Sequence, residues 1–321
     1  MTASQPRIVS LLSSATEMLY ALGLGKHVVA VSHECDWPPE VVGKPQATRS
    51  AIDSSLPSGE IDNEVRRMLA AGEPLYAVDA ELIASLQPDL IVTQAQCDVC
   101  AVRLDDVRAM IQSQPGLAAT SLISLQPDRL EDIFADLLRL GAATQRDEAA
   151  TLFVESLQAR VEQVRQQADA EVRRAGRRRR VAIIEWTQPL MLAGNWTPEL
   201  VAIAGGDCPL TIAGQPSRCH DWVEVVAFDP EVIVIAPCGF GLERAIVEAQ
   251  PLLSWPGWQE TSAAGAGRVF AMDGNAYLNR SGPRIVDTLE MLAKLIWDDP
   301  GAAPSGTQLP PGTQLLSASG I

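Results

Sequence analysis

Two stretches of this chain, far apart in the sequence, follow the same pattern, and each ends in a cysteine. One runs from Glu81 to Cys97 and the other from Glu224 to Cys238. Each consists of a short helical segment, a Pro-acid turn, a buried apolar strand and then a thiol. The repetition predicts two lobes of similar α/β build. Because groups just past the carboxyl ends of strands line the ligand crevice in open α/β sheets, we expect Cys97 and Cys238 to face one interlobe cleft.

Composition narrows the class of protein. The chain has 321 residues, 47% of them hydrophobic, which is enough for two domains with their own cores. The formal net charge of −15 argues against a nucleic-acid partner, because phosphate binding needs a basic field. The start of the chain lacks the apolar core of a secretory signal, and no apolar run reaches the roughly 20 residues that span a bilayer. We therefore expect a cytoplasmic protein that does not span a membrane.

The order of elements predicts an α/β fold with two Rossmann-like lobes, each built on a parallel sheet, joined by one long spine helix. Ser13 to Thr16 are predicted as a turn before the first helix. Apolar residues recur three and four apart from Asp147 to Ala175 without Pro or Gly, which predicts one amphipathic helix of roughly 40 Å. Such a helix would oppose large hinge closure. The expected parts are an N-terminal lobe (1–146), the connecting helix (147–178), a C-terminal lobe (179–299) and a flexible tail (300–321).

Several segments resemble one known family. They are Ile8 to Glu17, Gly23-Leu-Gly25, Val31-Ser32 with Asp36-Trp-Pro-Pro39, and Arg280-Ser-Gly-Pro-Arg284. Together with the two-lobe plan they resemble the metal-chelate type, class III, of ABC-transporter solute-binding proteins, and within it the vitamin B12-binding proteins. The likeness extends over roughly residues 7 to 297 and is closest to a cytosolic branch without a signal peptide.

The resemblance implies a ligand and some of its contacts. The ligand would be cobalamin or a similar bulky cofactor lying between the lobes. Trp37 and Tyr277 would be aromatic contacts, and Arg280 a polar one, within a loop that also contains Asn275. The function implied is capture, storage or hand-over of this small molecule, with an unknown donor or acceptor protein as partner.

Four cysteines follow predicted strands and are expected to converge. They are Cys35, Cys97, Cys100 and Cys238. Four thiolates suit tetrahedral zinc or an iron–sulfur cluster. A single C-x-x-C is only moderately specific, however, and the same thiols would equally suit direct contact with an organic ligand, inert packing or redox pairing. The alternative function is therefore a cysteine-ligated metal or iron–sulfur protein with a redox or enzymatic role.

Further polar and aromatic residues in the predicted strand-end loops are candidate ligand contacts. His33 precedes the first cysteine and would ligate metal, donate a proton or serve a structural role. Trp196 would either close over a flat ligand or pack in the core. No nucleophile elbow, catalytic triad order or phosphate-cradling loop is present, so the sequence gives no support for an enzyme. The remaining candidates are Glu34, Gln94, Asp98, Glu185 and Trp186.

Overall fold

The computed structural model of the protein describes residues 6–97, 99–298 and 309–316. The chain forms two compact units, each with its own sheet and helices, which confirms the predicted two-lobed α/β class. Unit 1 comprises the described residues of Met1–Leu56, Glu60–Pro127 and Glu131–Ser156. Unit 2 comprises those of Pro57–Gly59, Asp128–Leu130 and Leu157–Ile321.

The first half of the chain builds a four-stranded parallel sheet and a separate antiparallel pair. Its strands are β1 (Ile8–Ser10), β2 (Val28–Val31), β3 (Thr48–Ser50), β4 (Tyr76–Val78), β5 (Leu90–Gln94) and β6 (Ser121–Leu125). Its helices are α1 (Ser13–Ala21), α2 (Ser58–Ala71), α3 (Ala80–Leu86), α4 (Leu104–Ser113) and α5 (Leu130–Ala143). The sheet order is β2-β1-β5-β6, and β3 pairs with β4. One apolar core includes Val9, Ile83 and Ile91, which are fully buried.

The second half of the chain begins with the long helix α6 (Asp147–Ala175). It continues through helices α7 (Thr197–Ile203), α8 (Trp222–Phe228), α9 (Leu242–Ala249), α10 (Ser262–Gly265) and α11 (Ile285–Trp297). Its strands are β7 (Arg179–Trp186), β8 (Met191–Leu192), β9 (Gly206–Asp207), β10 (Arg218–Cys219), β11 (Val232–Ile235), β12 (Val269–Met272) and β13 (Thr313–Leu315). The sheet order is β10-β8-β7-β11-β12-β13, with β9 paired to β7.

The sheet of unit 2 is mixed, whereas the sequence predicts a parallel one. Strands β7, β11 and β12 are parallel neighbours, as expected for β-α-β connections. At the two sides the pairings are antiparallel: β8 with β7, β10 with β8, and β13 with β12. The parallel expectation is therefore right for the centre of this sheet and wrong for its margins, where short return segments pair instead of crossover units.

Helix α6 has the bounds that the apolar periodicity predicts. It is 29 residues long, and its chain passes from unit 1 into unit 2 between Ser156 and Leu157. Of the six side chains that define its apolar stripe, Val172 is half-buried and the other five are at most 8% exposed. These five are Val154, Leu157, Val161, Val164 and Ala168.

The two repeated stretches have the same backbone conformation at the turn between helix and strand. Gln87 caps the end of helix α3 and Asp229 caps the end of helix α8, and both residues adopt the left-handed conformation immediately before a proline. The proline cannot continue the helix, so the chain turns into the next strand. The predicted helix, turn and strand are therefore confirmed in both stretches.

The acid of each Pro-acid turn also has the same role. Asp89 donates its backbone N–H to the carbonyl of Arg7 and accepts the N–H of Arg7 on its carboxylate, at 2.8 and 2.7 Å. Glu231 does the same with Arg180, at 2.8 and 3.1 Å. Each acid thus ties the start of its strand to the neighbouring strand, which explains why the pattern recurs.

Two local expectations are corrected. Ser13 to Thr16 form the first turn of α1 and not a separate turn, because Thr16 bonds back through Oγ1 to Leu12 O and to Ser10 Oγ, so its hydroxyl does not compete with the helix. In the predicted flexible tail, Thr313–Leu315 pairs with β12, and Leu316 is 6% exposed. The rest of that segment, 300–308 and 317–321, lies outside the described residues.

Candidate functional site

The carboxyl ends of β1, β2 and β5 lie side by side in unit 1. These three strands are parallel, and β1 is the neighbour of both others. The loops that follow them therefore start at the same edge of the sheet, which is where open α/β sheets bind ligands. The candidate residues from His33 to Trp37 follow β2, Gln94 is the last residue of β5, and Cys97 and Cys100 come after it.

His33 is held by neighbours that the sequence did not identify. Its Nδ1 is 2.7 Å from Thr48 Oγ1, and Thr48 Oγ1 also accepts the backbone N–H of His33 at 3.1 Å. The ring lies against that of Tyr76, with centroids 5.7 Å apart. Nε2 is 3.2 Å from the carboxylate of Glu34, which is half exposed. The contacts on Nδ1 and the ring face fix the imidazole so that Nε2 points toward Glu34.

Cys35 and Trp37 have opposite environments although they are two residues apart. Cys35 is 8% exposed, and its Sγ is 3.1 Å from the buried Thr16 Oγ1. Trp37 is 44% exposed; the other exposed large apolar side chains of the described residues are aliphatic. A half-exposed indole in a strand-end loop offers a flat apolar surface to a ligand.

Gln94 shapes the loop that carries the C-x-x-C. Its Oε1 accepts the backbone N–H groups of Gln96 and Cys97 at 2.6 and 2.8 Å, and its Nε2 donates to Cys97 O. The amide is 5% exposed, so its hydrogen bonds serve its own loop. In this loop Cys97 is half-buried, Cys100 is exposed and their sulfurs are 2.9 Å apart. Asp98, a predicted contact, lies outside the described residues.

The structure brings two of the four predicted metal-ligating thiols together. Among described residues, no three His, Cys, Asp or Glu side chains are placed to hold a metal ion. In unit 1, Cys35 therefore does not complete a three-ligand group with Cys97 and Cys100. A tetrahedral zinc site needs four ligands, and a C-x-x-C pair supplies two. Cys238 belongs to unit 2, and the four-thiol site stays a prediction.

In unit 2 the end of β7 contacts the loop after β11; Glu185 and Trp186, expected in a loop, are the last two residues of β7. Cys238 is half-buried and donates its backbone N–H to Glu185 O at 3.0 Å. The indole of Trp186 packs at 5.2 Å from the ring of Phe240, with the planes tilted by 45°. Arg244, on α9, places its guanidinium 3.9 Å from the centre of the Phe240 ring. Phe240 and Arg244 were not predicted from the sequence.

Trp196 packs in the core of unit 2, one of the two alternatives that the sequence left open. Its side chain is 6% exposed, and Nε1 donates to Leu278 O at 3.0 Å. Buried indole nitrogens normally find such a partner. The ring therefore ties α7 to the loop that follows β12.

The loop after β12 contains the remaining candidates. Gly274–Leu278 forms one π-helical turn, begun by Asp273, whose carboxylate accepts the N–H of Ala276 at 2.7 Å. Arg280 is 3% exposed and donates from Nε to Asn275 O and from Nη2 to Asn275 Oδ1, both at 2.9 Å. Tyr277 is half-buried, with the guanidinium of Arg284 5.6 Å from its ring centre. Arg280 thus cross-links the two ends of this loop.

Comparisons with known proteins identify the family. A family model described as "Periplasmic binding protein" matches residues 8–276. The Vibrio cholerae serotype O1 protein named vitamin B12-binding protein is 24% identical over 289 residues, covering 89% of this chain and 87% of its own.

Two solved structures have the same fold. The periplasmic vitamin B12-binding protein of Vibrio cholerae has a TM-score of 0.65 and 22% identity, covering 91% of this chain and 96% of its own. A periplasmic heme-binding protein from Pseudomonas aeruginosa has a TM-score of 0.69 and 20% identity, covering 95% and 96%.

Within 6–97, 99–298 and 309–316, every helix is too short or too polar to cross a bilayer. The family match covers most of the chain, and the solved structures share its two-lobed α/β fold. The chain therefore belongs to the periplasmic binding protein family, as a solute-binding protein of class III.

Proposed function

We propose that this protein binds cobalamin or a similarly bulky metal-containing macrocycle for capture, storage or hand-over. The proposal is supported by the family and by relatives whose names specify vitamin B12 or heme as ligand. We place this activity in the cytoplasm, with a donor or acceptor protein such as an ABC transporter component as partner. Recovery of the native protein in the soluble cytoplasmic fraction would test the location.

The exposed indole of Trp37 is the observation that carries the proposal. It lies in the loop after β2, at the carboxyl edge of the parallel sheet of unit 1, and is 44% exposed. Leaving so much aromatic surface in water costs free energy that a flat apolar partner would recover. His33 is fixed four residues earlier, by Thr48 and Tyr76, so the loop presents a defined surface.

A titration with two macrocycles tests the ligand. Purified protein would be titrated with cyanocobalamin and with hemin, following the visible bands of each and the heat of binding. We expect saturable one-to-one binding of at least one of them. The absence of binding by both overturns the proposal. Brown colour, or bound zinc in metal analysis, would instead favour the cysteine-ligated alternative.

A variant pair tests the role of Trp37. Trp37→Ala should weaken macrocycle binding about tenfold, because an aromatic contact contributes about 1–2 kcal/mol. Val223→Ala is the matched control, since Val223 is 75% exposed and lies on α8. Its affinity should equal that of the parent. Equal affinities of all three proteins would contradict a contact between Trp37 and the ligand.

A further inference from the structure

Cys97 and Cys100 form a hydrogen-bonded pair of thiols. They lie in the loop after β5, and the Cys100 thiol donates to Cys97 Sγ at 2.9 Å. The backbone N–H of Val99 donates to the same sulfur at 3.4 Å. Two donors therefore point at Cys97 Sγ, and donors of this kind stabilise negative charge on a sulfur. The hydrogen bonds therefore distinguish Cys97 from Cys100 as the acceptor sulfur of the pair.

The loop around the pair is held on both sides. Gln94 bonds the backbone N–H and the carbonyl of Cys97, as described above. The hydroxyl of Tyr76 donates to the carbonyl of Val99 at 2.8 Å. These bonds hold the backbone at Cys97 and at Val99. The sulfurs consequently stay within a distance from which a short movement makes a disulfide bond, whose length is about 2.05 Å.

The surroundings favour exchange chemistry over metal ligation. Cys100 is exposed and Cys97 half-buried, so a small molecule reaches the pair from solvent. The described residues provide no third His, Cys, Asp or Glu side chain for a metal group here. By contrast, burial raises the pKa of the Cys208 thiol to about 11, which suits an inert thiol.

We propose that Cys97 and Cys100 are a thiol–disulfide exchange site whose reactant is a small disulfide, RSSR. Cys97 loses its proton to water, and its thiolate attacks one sulfur of RSSR, forming a mixed disulfide and releasing RS⁻. Cys100 then loses its proton to water and attacks Cys97 Sγ, which releases the second RS⁻. Each RS⁻ takes up one of the two protons from water. The pair is oxidised by two electrons to a disulfide, and RSSR is reduced to two RSH. This activity is independent of the macrocycle.

The test uses the full chain and glutathione buffers. Fully reduced protein would be equilibrated with mixtures of reduced and oxidised glutathione, quenched with acid, alkylated and digested with trypsin. Residues 68–103 form one tryptic peptide whose cysteines are Cys97 and Cys100. We expect the mass of this peptide to fall by two hydrogens, as a disulfide forms, within a narrow range of the glutathione ratio. In that same range the exposed Cys219 should still be reduced, and therefore alkylated, in most molecules. Independent alkylation of both cysteines at every ratio overturns the proposal.

Two variants identify the attacking sulfur. Cys100→Ser should accumulate the mixed disulfide of Cys97 with glutathione, since the resolving thiol is gone. Cys97→Ser should form its mixed disulfide at Cys100 severalfold more slowly. Cys219→Ser is the control and should leave the disulfide of the pair unchanged. Equal rates in the first two variants would remove Cys97 as the attacking thiol, and circular dichroism spectra would show that all variants are folded.

Discussion

At the scale of single residues, Arg280 is a buried cation that holds its own loop. Its guanidinium is 3% exposed and donates twice to Asn275. The resemblance to the family implies that Arg280 also contacts the ligand. The hydrogen bonds add a structural role that residue type and loop position alone could not show. A buried guanidinium with partners destabilises the fold when it is removed, because those partners lose their bonds.

Arg280→Ala should therefore lower the free energy of unfolding by about 2–4 kcal/mol. Urea unfolding followed by circular dichroism measures this change. Arg174→Ala is the control, since Arg174 is 69% exposed and pairs with Glu171 on the surface of α6. It should change stability by less than about 0.5 kcal/mol. If Arg280→Ala instead weakens macrocycle binding at unchanged stability, Arg280 is a ligand contact and not a structural residue.

Asp136 gives the protein a pH-dependent stability. Its carboxyl group is 3% exposed on α5, Oδ1 accepts from Arg139 at 2.7 Å, and Oδ2 has no hydrogen bond within the described residues. Burial raises its pKa to about 6, with Arg139 opposing the shift. The folded state therefore binds more protons than the unfolded state between about pH 4 and 6. Its contribution to stability is present below this window and is lost as the pH rises through it.

Asp136→Asn should abolish this dependence. Relative to the variant, the parent should lose about 2–3 kcal/mol of unfolding free energy between pH 4 and pH 7. Chemical unfolding at several pH values measures the difference. Asp105→Asn is the control, since Asp105 is 79% exposed on α4. The difference in unfolding free energy between this variant and the parent should not change with pH. If the difference in unfolding free energy between Asp136→Asn and the parent is also independent of pH, the carboxyl group ionises normally in the folded protein.

At the scale of elements, the sequence predicts helix bounds correctly where the apolar periodicity is clear or a proline marks the end of the helix. The bounds of α3 follow from a short apolar stretch followed by a proline, and those of α6 from a long apolar period. The prediction fails for β13, because Thr313–Leu315 has too few apolar residues to indicate a strand by itself. That strand exists because β12 offers an unpaired edge and the core accepts Leu316. Such tertiary reasons are absent from a local pattern.

The contribution of β13 can be measured with two neighbouring side chains. Leu316 is 6% exposed in the core of unit 2, and its N–H bonds Val269 O at 2.8 Å. Leu316→Ala should cost about 2–4 kcal/mol of unfolding free energy, through lost burial and the cavity left behind. Gln314→Ala changes an exposed side chain on the same strand and should cost less than about 0.5 kcal/mol. Equal small losses would mean that β13 does not stabilise the fold.

At the scale of the whole molecule, the sequence predicts the class and family well and the site only in part. The strand-end rule places His33 and Cys35 after β2 and Cys97 after β5, as the structure has them, because topology alone decides which loops share an edge. It could not foresee Tyr76, which comes from the antiparallel β3–β4 pair and contacts both His33 and the C-x-x-C loop. Nor could it separate Trp37 from Trp196, since exposure depends on packing far away in the sequence.

Ligand binding and global stability are linked in a way that tests the proposed function without following the ligand itself. A macrocycle that binds only the folded state at 100 times its Kd should raise the unfolding free energy by about 2.7 kcal/mol. In Trp37→Ala, with binding weakened tenfold, the same ligand concentration should add about 1.4 kcal/mol. Val223→Ala should retain the full increase. Urea unfolding with and without cyanocobalamin or hemin measures all three, and an increase in Trp37→Ala equal to that of the parent would show that the ligand binds elsewhere.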